Sequence, residues 1–159
     1  MAKKAQAPNN TPTIENRRAR FEYHIGETLE VGMLLRGSEV KSVRDGKVSL
    51  AEGFVMARTD PLHLELLNVE IGEYSPAAAL GHRPKRSRTL LAHKREIVKL
   101  AKALETKGAT IVPLRLYFKN GYAKLLIAVA KGKTAHDKRE AIGKREADRD
   151  IQRAMSRRR

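Results

Sequence analysis

The stretch Val112-Pro113-Leu114-Arg115-Leu116-Tyr117-Phe118-Lys119-Asn120-Gly121-Tyr122-Ala123-Lys124-Leu125-Leu126-Ile127-Ala128-Val129 reads as two strands folded back around Asn120-Gly121. Asn-Gly between alternating apolar residues is the strongest short hairpin signal a sequence carries. A two-residue turn pairs Lys119 with Tyr122, and then Phe118 with Ala123, Leu116 with Leu125, Leu114 with Ile127 and Val112 with Val129. The last four pairs are apolar, so the register set by the turn and the register set by hydrophobicity agree. The other face carries Arg115, Tyr117 and Lys119 opposite Leu126, Lys124 and Tyr122. Such a face suits phosphate and base contact, and equally an ordinary strand exterior.

Working outward, Thr28 to Arg36 alternates, with Leu29, Val31, Met33 and Leu35 on one side and Thr28, Glu30, Gly32, Leu34 and Arg36 on the other. That is the period of a half-buried strand. Ser38 is placed to cap a short helix running to about Arg44, and Gly46 suits its left-handed exit. Residues 53–59 and 62–71 flank Asp60-Pro61 and read as a second hairpin. In its second strand the apolar phase slips from Leu62, Leu64 and Leu66 to Leu67, Val69 and Ile71. A bulge produces such a slip and bends a sheet; a strand buried on both faces looks similar. Ala92 to Glu105 is a helix with Ile97, Leu100, Ala101 and Leu104 on its core stripe and Gly108 beyond its end. Five or six short strands, one long helix and one short one predict a mainly β fold with flanking α, a small oligonucleotide-binding (OB-type) barrel.

The barrel is assigned to residues 16–130. Residues 1–15, with Pro8, Asn9, Asn10 and Pro12, read as a flexible N-terminal arm. Residues 131–159 form a basic C-terminal tail. On a helical wheel Arg145, Arg149 and Arg153 make one stripe, with Ala147, Ile151, Ala154 and Met155 roughly opposite. An isolated helix of this kind is marginal in water, so the tail is expected to be disordered alone and helical when bound to a polyanion.

Charge points to the partner. The 159 residues hold 33 basic and 18 acidic side chains, net +15. Residues 21–81 hold five basic and ten acidic, whereas 82–95 hold six and none, and 131–159 hold eleven and five. Cations gathered on extensions and one loop, instead of scattered, are the footprint of a nucleic-acid binder. There is no cysteine, which excludes disulfides and thiolate metal sites and fits a reducing cytoplasm. The polar start after Met1 predicts no secretory signal, and the longest apolar run, Leu125 to Ala130, is too short to span a membrane. A soluble intracellular protein follows. Of the five histidines, His82 and His93 flank the basic loop and form the one pair worth suspecting of acid–base chemistry. No nucleophile motif, phosphate-cradling glycine loop or metal-ligand spacing accompanies them, so no catalytic residue, metal or cofactor is assigned. A permanent ribosomal or assembly protein remains an alternative.

Four segments in order resemble one family. They are Asn16-Arg17-Arg18-Ala19-Arg20 with Phe21-Glu22-Tyr23; Gly37-Ser38-Glu39-Val40-Lys41-Ser42-Val43-Arg44; Lys85-Arg86-Ser87-Arg88-Thr89-Leu90-Leu91 with His93-Lys94-Arg95-Glu96; and Ala130-Lys131-Gly132-Lys133-Thr134-Ala135-His136-Asp137-Lys138-Arg139. Together they resemble the SsrA-binding protein (SmpB) family. Ser38 stands where many members have tryptophan, and Thr134 where lysine is frequent. The resemblance implies a cytoplasmic, monomeric protein that binds the tRNA-like domain of transfer-messenger RNA and delivers it to stalled ribosomes for trans-translation. It implies a tail that occupies the empty messenger path and decoding centre of the small subunit. By position, Asn16, Glu30 and Leu91 match RNA-contacting residues, and Lys124, Lys131 and Lys133 match basic positions of that surface. Arg17, Arg18, Arg20, Lys85, Arg86 and Arg88 complete the expected RNA-binding set. The ribosome-binding tail comprises His136, Asp137, Lys138, Arg139, Arg145, Arg149 and Arg153. Basic groups position a phosphate backbone without specifying sequence. Glu30 accepts hydrogen bonds from base amines or a 2′-hydroxyl, and Leu91 packs on a splayed base.

Overall fold

The computed structural model describes residues 11–76 and 81–156; residues 1–10 of the expected arm lie outside the described residues, as do the last three of the tail. The elements run β1 (Ile14–Glu15), α1 (Arg17–Glu22), β2 (Tyr23–Met33), α2 (Gly37–Arg44), β3 (Val48–Ser49), β4 (Phe54–Thr59), β5 (Leu62–Leu67), β6 (Glu70–Ile71), β7 (Arg88–Leu91), α3 (Lys94–Leu104), β8 (Ala109–Lys119), β9 (Tyr122–Gly132) and α4 (Ala135–Ser156). Seven strands make one antiparallel sheet in the order β1-β8-β9-β2-β7-β5-β4, and β3 pairs with β6 apart from it. The sheet curls until its last strand, β4, lies beside β8. Its concave face supplies one core from nearly every strand, including Val31, Val55, Leu64, Leu66, Leu90, Leu116, Leu125 and Ile127, plugged by Ile97 and Leu100 of α3. Each such leucine or isoleucine contributes about 1.5–3 kcal/mol. The mainly β, helix-flanked architecture is therefore present.

The Asn120-Gly121 turn is as expected, both residues at positive φ (53° and 82°), with Lys119 opposite Tyr122 and Leu116 opposite Leu125. Beyond Arg115 the expected register fails. Pro113, not Leu114, faces Ile127, and Ile111, not Val112, faces Val129. Proline has no N–H for the ladder and is tolerated in a central strand at a bulge, so the extra residue falls beside it at Leu114. A second bulge lies in β2 between Ile25 and Thr28, where a Cβ on Gly26 would stand 3.0 Å from the Val129 carbonyl oxygen. The bulge expected within 62–71 is instead a strand end. Asn68 turns left-handed (φ 56°), and the chain leaves β5 to pair with β3 as β6. The phase slip was real; its cause was a change of sheet.

Three boundaries also move. The strand expected from Thr28 begins at Tyr23 and ends at Met33. Ordered pairing starts inside the segment assigned to the arm, with Ile14 opposite Leu116 and Glu15 opposite Arg115. The described part of the tail is a continuous helix, Ala135–Ser156, with no buried residue. Helix α1 lies on the convex face of the sheet, where Ala19 packs with Val112, Leu114, Ala128 and Ala130 in a second, smaller cluster. It covers one end of that face and, among the described residues, leaves the other bare.

Candidate nucleic-acid interface

The bare end is laid out by strand register. Tyr117, Lys124, Gly32 and Leu91 stand in one row across β8, β9, β2 and β7. Glu15, Arg115, Leu126 and Glu30 form the next row. Gly32 has no side chain, so Leu91 leans over it; a Cβ there would meet that of Leu91 at 3.3 Å. Leu91 is 51 % exposed, as is Leu34 just beyond β2, whose N–H bonds to Thr89 O at 3.0 Å. Leu91 is thus a surface residue of β7 and not a core residue of the following helix. Glu30 accepts a hydrogen bond from the Tyr117 hydroxyl, and Lys119 Nζ lies 3.5 Å away. The Tyr117 bond, with Lys119 and Lys124 nearby, holds the Glu30 carboxyl below its ordinary range. Burial and Glu30 together push the Tyr117 phenol up to about 12. The face therefore presents a fixed carboxylate, an apolar step and several cations, which suits hydrogen-bonding, packing and phosphate contact with RNA.

The expected basic loop is a different object. Arg88 is fully buried (1 % exposed), as is Glu39 (0 %). Glu39 Oε1 accepts from Arg86 Nε at 2.8 Å and Arg88 Nε at 2.9 Å. Oε2 accepts from Arg86 Nη2 at 2.6 Å and from Arg36 N–H at 2.7 Å. Arg88 gives its remaining donors to the carbonyls of Val69, Arg86 and Pro84. Burial works to raise the Glu39 carboxyl, but these donors outweigh it and hold it below its ordinary value. Arg86 and Arg88 thus fold the loop onto α2, and of the three expected cations Lys85 is the exposed one. Ser38, expected as the cap of α2, bonds instead to His82 Nδ1 at 2.9 Å, while His82 Nε2 bonds to Ile71 O at 3.0 Å. His82 is buried and both its nitrogens are engaged, so it forms no acid–base pair with exposed His93.

Asn16 is buried as well. Its amide donates to Leu50 O and Pro113 O, both at 2.9 Å, and its oxygen caps α1 through Ala19 N–H at 3.0 Å. It ties the two sides of the barrel together instead of reaching outward. Arg17 and Arg20 are exposed on α1, while Arg18 pairs with Glu22 at 2.8 Å. Lys131 lies an odd number of residues from Lys124 and emerges on the opposite face, beside His24, Ala103 and Thr106. Lys133 Nζ bonds to Arg20 O at 3.2 Å, its N–H to Glu22 O at 2.8 Å.

The tail begins with a reciprocal cap: Asp137 N–H bonds to Thr134 Oγ1 at 3.3 Å, and Thr134 N–H to Asp137 Oδ2 at 3.1 Å. Thr134 thus caps the start of α4. Asp137 Oδ2 also meets His24 Nε2 at 3.2 Å, and the Arg145 guanidinium lies 5.5 Å from the Phe21 ring centroid. His136, Arg139, Arg149 and Arg153 are exposed and Lys138 half-buried; His136 is 3.6 Å from Glu140, and Arg153 3.5 Å from Asp150. The Thr134 hydroxyl, then His24, hold the Asp137 carboxyl down at about 2, against an ordinary 3.8. A depressed carboxyl stabilises above its ordinary value and stops doing so as pH falls through the folded one. Backbone NMR shifts of residues 135–139 should therefore lose helical character between pH 3.8 and about 2. Asp137→Asn should show the frayed shifts already at neutral pH.

Sequence reasoning placed Tyr117 on this face but not beside Glu30, and it missed Leu34. An apolar residue on the polar parity of a strand was the available signal for Leu34. Among the described residues no cluster of three His, Asp or Glu could hold a metal, and no helix is long and apolar enough to cross a membrane.

The sequence matches the family described as SmpB protein over residues 13–157. The SsrA-binding protein of Limosilactobacillus reuteri is 47 % identical, over 98 % of each chain. That of Pelotomaculum thermopropionicum is 51 % identical, over 91 % of this chain and 93 % of its own. A solved chain described under "tmRNA-SmpB: a journey to the center of the bacterial ribosome" superposes with a TM-score of 0.68 at 43 % identity, covering 83 % of this chain and 95 % of that one.

Proposed function

The chain belongs to the SmpB protein family, and on that footing we propose that it binds the tRNA-like domain of transfer-messenger RNA and delivers it to stalled ribosomes for trans-translation. The observation that carries the reading is the uncovered convex face, where Glu30, Leu91 and Lys124 converge from three strands. Lys124 contacts phosphate, Leu91 packs on an unstacked base, and Glu30 takes a base amine or 2′-hydroxyl. Exposed Arg17, Arg20 and Lys85 add phosphate contacts around it. Helix α4, without a buried residue of its own, enters the empty messenger path and decoding centre. The protein works by binding, in the cytoplasm, as a monomer and without a catalytic step.

Filter binding of the full chain to a transcribed tRNA-like RNA, across a salt series, tests this. Lys124→Glu should lower the salt slope by roughly 1. Glu30→Gln and Leu91→Ala should each weaken binding by about tenfold with the slope intact. Native-strength binding by all three variants rules out this face.

A further inference from the structure

Glu30 is a long, flexible side chain on an exposed strand position, and a carboxylate free to rotate is a poor reader of hydrogen-bond donors. Ordering it at the moment of binding costs side-chain entropy that weakens the complex. Here it is ordered beforehand. Tyr117 stands on β8, two strands from Glu30, with β9 between them. Its half-buried ring spans β9 and places the phenolic hydroxyl on Glu30 Oε2. Tyrosine loses little freedom when it does this, having two side-chain torsions and a rigid ring.

We propose that Tyr117 is a positioning residue, which fixes the Glu30 carboxylate so that Oε1 receives a donor from RNA, a 2′-hydroxyl or an exocyclic base amine. The inference rests on the reading of Glu30 given above. Oε2 is taken by the phenol, and Oε1 lies 3.5 Å from Lys119 Nζ. That distance is long for a hydrogen bond, so the lysine adds to the effect of the Tyr117 bond on the carboxylate while holding Oε1 only weakly. Ionisation matters because a protonated carboxyl would offer one acceptor fewer. The shared bond is the main cause of the lowered carboxyl and, after burial, the next cause of the raised phenol. A phosphate oxygen, having no donor, is turned away by this arrangement. The cations that hold phosphates, Lys124 among them, sit in the neighbouring row.

Tyr117→Phe separates positioning from stacking, since it keeps the ring and removes one hydroxyl. Binding of the full chain to the tRNA-like RNA is measured for the native protein, Tyr117→Phe, Glu30→Gln and the double variant, with thermal unfolding of each as a folding control. Tyr117→Phe should weaken binding by roughly threefold to tenfold, an ordinary value for one lost hydrogen bond acting indirectly. Its salt slope should stay native, because no charge is removed. The double variant should bind no worse than Glu30→Gln alone, because both changes disable one unit. Carbon-13 NMR of the Tyr117 phenol gives a second reading: its ionisation, near 12 in the native chain, should move to lower pH in Glu30→Gln. If Glu30→Gln binds RNA like the native chain, the reading of Glu30 falls and the positioning role with it. If Glu30→Gln is weak while Tyr117→Phe matches native, or while the two losses multiply, the positioning role alone is overturned. An unmoved phenol ionisation in Glu30→Gln overturns it too.

Discussion

Glu39→Gln should lower the folding stability of this chain by about 3–5 kcal/mol, the cost of breaking a buried ion pair by removing one partner. The substitution keeps the shape of the side chain and deletes its charge. Arg88, fully buried, then has no compensating anion, and of the two acceptors that Arg86 uses on Glu39 one is replaced by a donor. With domains commonly stable by about 5–15 kcal/mol, that loss leaves little margin. Urea denaturation measures it directly, and a midpoint close to native would contradict the buried cluster. Acid should act in the same direction. The Glu39 carboxyl is depressed below its ordinary 4.5 when folded, so its stabilisation is complete above that value and drains away as pH falls through the folded one. The same geometry changes how the basic loop must be tested. Reversing Lys85, Arg86 and Arg88 together would mainly unfold the loop, whereas Lys85→Glu alone reads a phosphate contact.

Removing residues 135–159 should leave the barrel folded and its binding to the tRNA-like RNA within a few-fold of native, while rescue of stalled ribosomes is lost. The segment contains nine basic and five acidic residues, and its described part, Ala135–Ser156, has no buried residue, so the body loses little by its removal. A carrier gripping two RNA surfaces loses the avidity of the second grip, an effect of about 10²-fold or more. The cut belongs after Thr134. Lys131 and Gly132 pair with His24 and Tyr23 in β2, and a deletion starting at 131 would shorten the sheet as well. Circular dichroism, RNA binding and a reconstituted rescue assay read the three quantities separately. Unfolding of the remainder would refute the division into body and tail; undiminished rescue would refute the role of α4.

Much of the fold was legible because its signals are local. The Asn120-Gly121 turn, the outward parity of Glu30 and the stripe of Ile97 and Leu100 each depend on residues a few positions apart. The register beyond Arg115 was less legible: turn and hydrophobicity agreed on a regular ladder, and the missing N–H of Pro113 broke it. Exposed Glu30 and Leu91 and half-buried Lys124 were named as a candidate site through the family resemblance, and parity already placed Glu30 on the outer face. Asn16, Arg86 and Arg88 were misplaced by the same reasoning, because a polar residue in a matching motif gives no sign of whether it is buried.

The sequence by itself determined the strand and helix periods, the tight turn, the clustering of positive charge and the family. Those properties follow from spacing and composition, which folding does not alter. Which cations are available to a partner was decided only by tertiary structure. Arg86 and Arg88 meet a carboxylate 47 and 49 residues away, and Tyr117 meets one 87 residues away. Ionic and hydrogen bonds act over a few ångströms of space, and distance along the chain does not report them.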